Sequence, residues 1–133
     1  MASAALAAPV VGSVKSVQGG VAVVRGAAEL AAQPGLHLEA QDVLRTAADS
    51  HVGLILLDGT RVSLGPKSEL KISEFAYAPA ESRLGLVLHL ARGVLAYVSG
   101  RIAALAPESV RVETPVGSIG LRGTKFAVTL EGE

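Results

Sequence analysis

The sequence predicts an all-β domain built from short antiparallel strands and hairpins. Three observations carry that prediction. Leu84, Leu86, Leu88 and Leu90 alternate with Gly85, Val87 and His89, the period-two pattern of a strand with one buried face. Asp58-Gly59 separates the apolar run 52–57 from Val62 and Leu64, which is a strong short-range hairpin signal. No helix-like apolar stretch reaches the length, about 12–15 residues, at which an isolated helix becomes marginally stable. A sandwich is the alternative arrangement of the same strands.

Along the chain, residues 14–18 and 21–25 are apolar runs separated by the turn signal Gly19-Gly20. The Ala/Leu-rich stretches 27–33 and 102–106 are stopped by Pro34-Gly35 and Pro107. They read as loops or single turns. The Asp58-Gly59 hairpin suits a type I′ turn, with positive φ at both central positions. Leu70 and Ile72 share one face, whereas Phe75 and Tyr77 continue on the other parity. That slip predicts a bulge or bend near Ser73-Glu74. Ala91-Arg92-Gly93 interrupts the leucine alternation and Val94, Ala96 and Val98 resume it, the pattern of a hairpin with a short glycine-containing loop. Val110, Val112 and Thr114 form a further run, followed by a turn at Pro115-Val116-Gly117-Ser118. Ile119 and Leu121 lead into Gly123, and Phe126, Val128 and Leu130 close the domain as a strand. Phe75 and Phe126 read as core residues, and Tyr77 and Tyr97 as residues at a rim.

Composition narrows the function classes. The chain has 133 residues, one domain's worth. Half of them are hydrophobic, which excludes disorder. Lys+Arg 12 balance Asp+Glu 12, so the basic surplus of a nucleic-acid binder is missing. No apolar run approaches the ~20 residues of a spanning helix. With no cysteine, disulfides, thiolate nucleophiles and cysteine-ligated metals are excluded. Residues 2–9 are small and apolar and look like the end of a secretory signal. The expected organisation is a flexible leader over 1–11, one β domain over 12–130 and a tail over 131–133.

Catalytic constellations are not apparent. His37, His51 and His89 lie at no metal-ligand spacing. No Gly-x-Ser-x-Gly elbow occurs, and Gly65-Pro66-Lys67-Ser68 lacks the first glycine of a phosphate loop. Asp58 and Glu113 are the carboxylates a hydrolase would use, but no nucleophile–base pair accompanies them. Asp58 instead suits a turn, its side chain bonding nearby backbone. Arg122 stands between Gly120 and Gly123, beside Thr124. It reads as a structural arginine donating to loop carbonyls, with an anion-binding role as the alternative. Lys67, Glu69 and Lys71 interleave with Ser68, Leu70 and Ile72, which puts three charges on one outward face. The expectation is a non-enzyme without cofactor or metal.

Several stretches together resemble a known family. They are Gly12-Ser13-Val14 to Val23, Asp42-Val43-Leu44-Arg45-Thr46, Ser50 through Leu57-Asp58-Gly59-Thr60, Leu64 to Leu70, Leu90-Ala91-Arg92-Gly93-Val94-Leu95, and Val112-Glu113-Thr114-Pro115-Val116-Gly117 into Leu121-Arg122-Gly123-Thr124-Lys125-Phe126-Ala127-Val128. In that order they resemble the FecR domain of bacterial envelope proteins, over about residues 12–130. The resemblance implies a twisted, solenoid-like all-β domain in the periplasm or secreted. It also implies a sensing or protein–protein interaction role with an envelope protein as partner. The expected state is a monomer or weak homo-oligomer, with no membrane span and no nucleic acid. A ligand- or glycan-binding module of the wall or surface is the alternative. Asp58, Gly59, Thr60, Arg122, Gly123 and Thr124 are the motif residues to test, with Tyr77 and Tyr97 as candidate surface aromatics. Where the family usually has Gly-Asp this chain has Gln41-Asp42, and Thr46-Ala47 stands where Thr-Gly is frequent. Both departures bear on local turn geometry.

Overall fold

Alternation decides which side chains face inward. In the computed structural model, which describes residues 9–120 and 125–130, β6 (His51–Leu56) buries Val52, Leu54 and Leu56. Strand β7 (Arg61–Leu64) likewise buries Val62 and Leu64. The other strands are β1 (Val10–Gln18), β2 (Val21–Arg25), β3 (Ala28–Ala31), β4 (His37–Glu39), β5 (Val43–Thr46) and β8 (Glu69–Ala78). They are followed by β9 (Arg83–Val98), β10 (Val110–Thr114), β11 (Gly117–Gly120) and β12 (Lys125–Leu130). A single helical turn, α1 (Arg101–Leu105), follows β9. With 64% strand against 9% helix, the class is all-β.

The long strand β9 joins two sheets. Its first half lies between β8 and β10, continuing the order β3-β2-β5-β8 on one side and reaching β11 on the other. Its second half lies between β7 and β12, continuing the order β4-β1-β6-β7. All pairings are antiparallel except β9–β10. Through β9 the two sheets are continuous and curl into a half-barrel, whose concave residues make a single core that includes Leu38, Leu44, Leu54, Leu70, Leu90 and Leu95.

β9 corrects the expected hairpin at residues 91–93. The chain does not reverse there but runs on for 16 residues. Gly93 takes φ 99°, and the register against β8 slips between Glu69 and Leu70. This bulge bends the strand from one sheet into the other and flips its parity. Inward residues change from Leu86, Leu88 and Leu90 to Leu95 and Tyr97. Val94 and Val98, read above as continuing the pattern, therefore face outward. The same flip corrects the placement of Tyr97: it is 1% exposed and stacks on Phe126 at 4.8 Å.

Residues 28–31 form an edge strand paired with β2 where a loop or single turn was expected. Cross-strand hydrogen bonds to a formed neighbour supply what local propensity does not. The strands flanking Gly19-Gly20 do not pair with each other but enter different sheets. The Asp58-Gly59 hairpin forms, but only Gly59 has positive φ, at 89°. Gly59 N donates to Leu56 O at 2.9 Å, so a type I turn is followed by a left-handed glycine. The bulge near 73–74 is present, as a register slip between Ile72 and Glu74. β10 and β11 form the hairpin expected around residues 115–118. β1 begins at Val10, inside the stretch assigned to the leader. Leu121, Arg122, Gly123 and Thr124 lie outside the described residues.

Candidate functional site

Six polar residues are buried among the described residues: Asp42, Thr46, Ser50, Asp58, Thr60 and Ser68. A buried polar group must find partners or destabilise the fold. Each of these finds them at a corner of the sheet.

The Asp58 corner ties the β6–β7 turn to α1. Asp58 Oδ1 accepts from Thr60 N at 3.0 Å. Oδ2 accepts from Thr60 Oγ1 at 2.8 Å and from Ile102 N at 3.0 Å. The Asp58 carbonyl accepts from Arg101 N at 2.8 Å. Gly100 makes this approach possible, because a Cβ there would lie 2.7 Å from that carbonyl oxygen. The carboxylate thus caps the start of α1 and leaves no free side facing solvent. This is turn geometry, as the Asp-Gly pair suggested, and not that of a general base.

A second corner holds the bend of β9. Thr46 Oγ1 donates to Gly65 O at 2.7 Å and accepts from Ser68 N at 2.8 Å. Ser68 Oγ accepts from Val94 N at 2.9 Å, just beyond Gly93. A third ties the β1–β2 turn to the β5–β6 connection, where Gly20 N donates to Ser50 Oγ at 2.9 Å. A fourth surrounds Asp42, whose two carboxylate oxygens take a fork from Arg25, Nε at 2.9 Å and Nη2 at 2.8 Å. Asp42 also accepts from Glu39 N at 2.8 Å. The hydrogen bond to Asp42 raises the Arg25 pKa above its ordinary value. Here Gln41 adopts φ 77°, the conformation a glycine would take at no steric cost. Its side chain donates to Ser73 O at 2.6 Å, which helps hold it. Arg25 belongs to none of the motif stretches read from the sequence. Its one signal was an arginine closing an apolar run ahead of Gly26.

On the outer face, cross-strand pairing sets Arg45, Glu69 and Arg92 side by side. Arg45 Nε and Arg92 Nη2 each lie 3.5 Å from the same oxygen, Glu69 Oε1. A surface cleft of about 580 Å³ opens beside them over Ala22, Leu30 and Ala31. A second, of about 540 Å³, lies on the other side of Arg92, against Lys67 and Val94. Tyr77 is half-buried on β8, opposite Leu84. Glu113 is paired with Arg111 at 3.0 Å. Burial pushes the Tyr97 phenol above its ordinary pKa. The structure therefore gathers Asp58, Gly59 and Thr60 into one corner, whereas Tyr77 and Tyr97 sit apart on different strands.

The family model for FecR protein matches residues 42–133. The chain belongs to the FecR family. It is a regulatory and signalling family. Comparison with curated proteins and with solved structures gives no match. The FecR match takes in the Thr46–Ser68 and Asp58 corners and Asp42 itself, whereas Arg25, Glu39 and the likeness over Gly12 to Val23 lie ahead of it. No helix among the described residues is long and apolar enough to cross a membrane.

Proposed function

We propose that this FecR-family chain is a non-enzymatic interaction or sensing module of the bacterial cell envelope. On this reading it is exported to the periplasm or beyond and acts by binding an envelope protein. The observation that carries the reading is the use made of the buried polar groups. The carboxylates and hydroxyls of Asp42, Thr46, Asp58, Thr60 and Ser68 are all engaged in hydrogen bonds that hold corners. What remains for function is the surface of the sheet and its edges. Edge strands such as β3 present unpaired backbone groups, which a partner can extend by strand addition. The leader-like residues 2–9 support export.

In-cell crosslinking of the tagged full-length gene product, followed by mass spectrometry, tests this. A reproducible envelope protein, lost when an outer-face or edge residue is changed, is the expected result. Capture of wall fragments alone would replace it with the glycan-binding reading. Protein recovered only in the cytoplasm would remove the export part.

A further inference from the structure

We propose that Arg45 and Arg92 form a docking site for an acidic peptide segment of the partner protein. The proposal rests on the interaction reading above and names the chemistry of its surface.

The geometry begins with one cross-strand row. Ala31, Ala22, Arg45, Glu69 and Arg92 are successive register partners across β3, β2, β5, β8 and β9. Ala22 and Ala31 are too small to fill the outer face, so a trough forms over them. Arg45 and Arg92 stand along its side. Both are about half exposed, at 45% and 51% of the side chain. They share a single carboxylate oxygen at 3.5 Å, longer than a charge-assisted hydrogen bond. With Glu29 at the rim and Lys67 in the adjoining cleft, three cations face two carboxylates, a surplus of one positive charge, and the long contacts to Glu69 leave guanidinium donors for a further acceptor.

Glu69 shows what the site accepts. Its oxygen sits where both arginines reach it, so a carboxylate bound from outside would meet the same two forks. Arginine prefers such planar, bidentate partners. Lys67 adds a third cation in the adjoining cleft, which shares Arg92. Glu29, at the rim of the trough, is the second carboxylate nearby. An extended segment crossing Arg92 passes from one cleft into the other and meets three cations and two carboxylates. The alanine floor leaves room for its backbone. These features favour an acidic peptide over an anionic lipid surface, because the cations line clefts on a sheet face and do not crown a protruding apolar tip.

Binding of a fluorescent, glutamate-rich peptide by the intact chain tests the site, with its glutamine analogue as control. The glutamate peptide should bind and the glutamine peptide should not. Affinity should fall as salt rises. Arg45→Gln with Arg92→Gln should weaken binding by about tenfold or more, on the scale of two lost charge-assisted contacts. Glu69→Gln, which frees both guanidiniums, should tighten it, as should Glu29→Gln. That opposite sign separates a binding role from loss of fold, and far-UV circular dichroism checks the fold of each variant. No binding of the glutamate peptide, or equal binding by the double variant, overturns the proposal. Preferential binding of phosphatidylglycerol vesicles also overturns it, in favour of a membrane surface. If the double variant still captures the wild-type envelope partner by crosslinking, the docking site is wrong and the interaction reading stands.

Discussion

Replacing Asp58 should cost more stability than any exposed charge in the molecule. The carboxylate is 3% exposed and accepts three hydrogen bonds, from Thr60 N, Thr60 Oγ1 and Ile102 N. Bonds to a charged acceptor contribute about 1.5–3 kcal/mol each, and an abandoned buried donor costs about 1–3 kcal/mol. Asp58→Ala removes the acceptor and strands two backbone N–H groups in a corner where α1 packs on the β6–β7 turn. These terms overlap, so a loss of about 3–5 kcal/mol is expected, not their sum. Against a typical total of about 5–15 kcal/mol, that is a large fraction. Asp58→Asn keeps the shape. With its oxygen at the Oδ2 position it still accepts from Thr60 Oγ1 and Ile102 N. Its amide then faces Thr60 N as donor against donor, and one bond is lost, about 1–3 kcal/mol. Urea unfolding followed by far-UV circular dichroism measures both, provided the denaturant slope is unchanged. An Asp58→Ala protein within about 0.5 kcal/mol of wild type would refute the reasoning. So would an Asp58→Asn protein as damaged as the alanine variant.

Three further outcomes follow from the same corners and core. Gly93→Ala places a Cβ 2.5 Å from Ser68 Cα at φ 99°, so backbone must move; a loss of at least ~3 kcal/mol is expected by urea unfolding, and a loss under half that would contradict the bend. Gln41→Gly relieves a left-handed non-glycine at φ 77° and should raise stability by about 0.5–1 kcal/mol, read as a higher Tm; a lower Tm would mean the Gln41–Ser73 bond matters more than the backbone. Tyr97 has a folded pKa raised above its ordinary 10.0 by burial, so its contribution is fully present below pH 10 and is lost as pH rises through the folded value. Tyr97→Phe keeps the stack on Phe126, removes a buried hydroxyl that has no hydrogen-bond partner among the described residues, and should flatten this alkaline loss when unfolding is compared at neutral pH and above pH 10.

The sequence showed most of the strands because a half-buried strand writes its period into its side chains. Val52 to Leu64 and Leu84 to Leu90 could be read that way, and so could the slip between Ile72 and Phe75. What it did not show was direction. A glycine after an alternating run marks a reversal in a hairpin and a bend in a crossing strand, and Ala91-Arg92-Gly93 is compatible with both. The difference lies in what Gly93 approaches, namely Ser68, 25 positions away in sequence. Because parity flips at a bend, taking the bend for a loop exchanged the faces of Val94 and Leu95 and put Tyr97 at a rim. β3 was hidden for a related reason: Ala-Glu-Leu-Ala has no strand preference of its own, and its pairing with β2 is decided by tertiary context.

The same alternation bears on how function can be read from the motif stretches. In the stretch 42–46, Asp42, Leu44 and Thr46 point inward and hold a corner, whereas Arg45 points out. In 67–70, Ser68 and Leu70 are buried and Lys67 is exposed. Around the bend of β9, Leu90 and Leu95 are buried and Arg92 is exposed. Each stretch therefore has an inner half that sets the curl of the sheet and an outer half that stands on its outer face. The two are mechanically linked. Thr46, Ser68 and Gly93 lock three strands together at one point, and Arg45, Lys67 and Arg92 stand on the shoulders of that lock. A rigid base lowers the ordering cost of long cationic side chains on binding, so a corner built for stability also suits a recognition surface. Changing Thr46 or Ser68 should therefore weaken peptide binding as well as stability, whereas changing Arg45 or Arg92 should weaken binding alone.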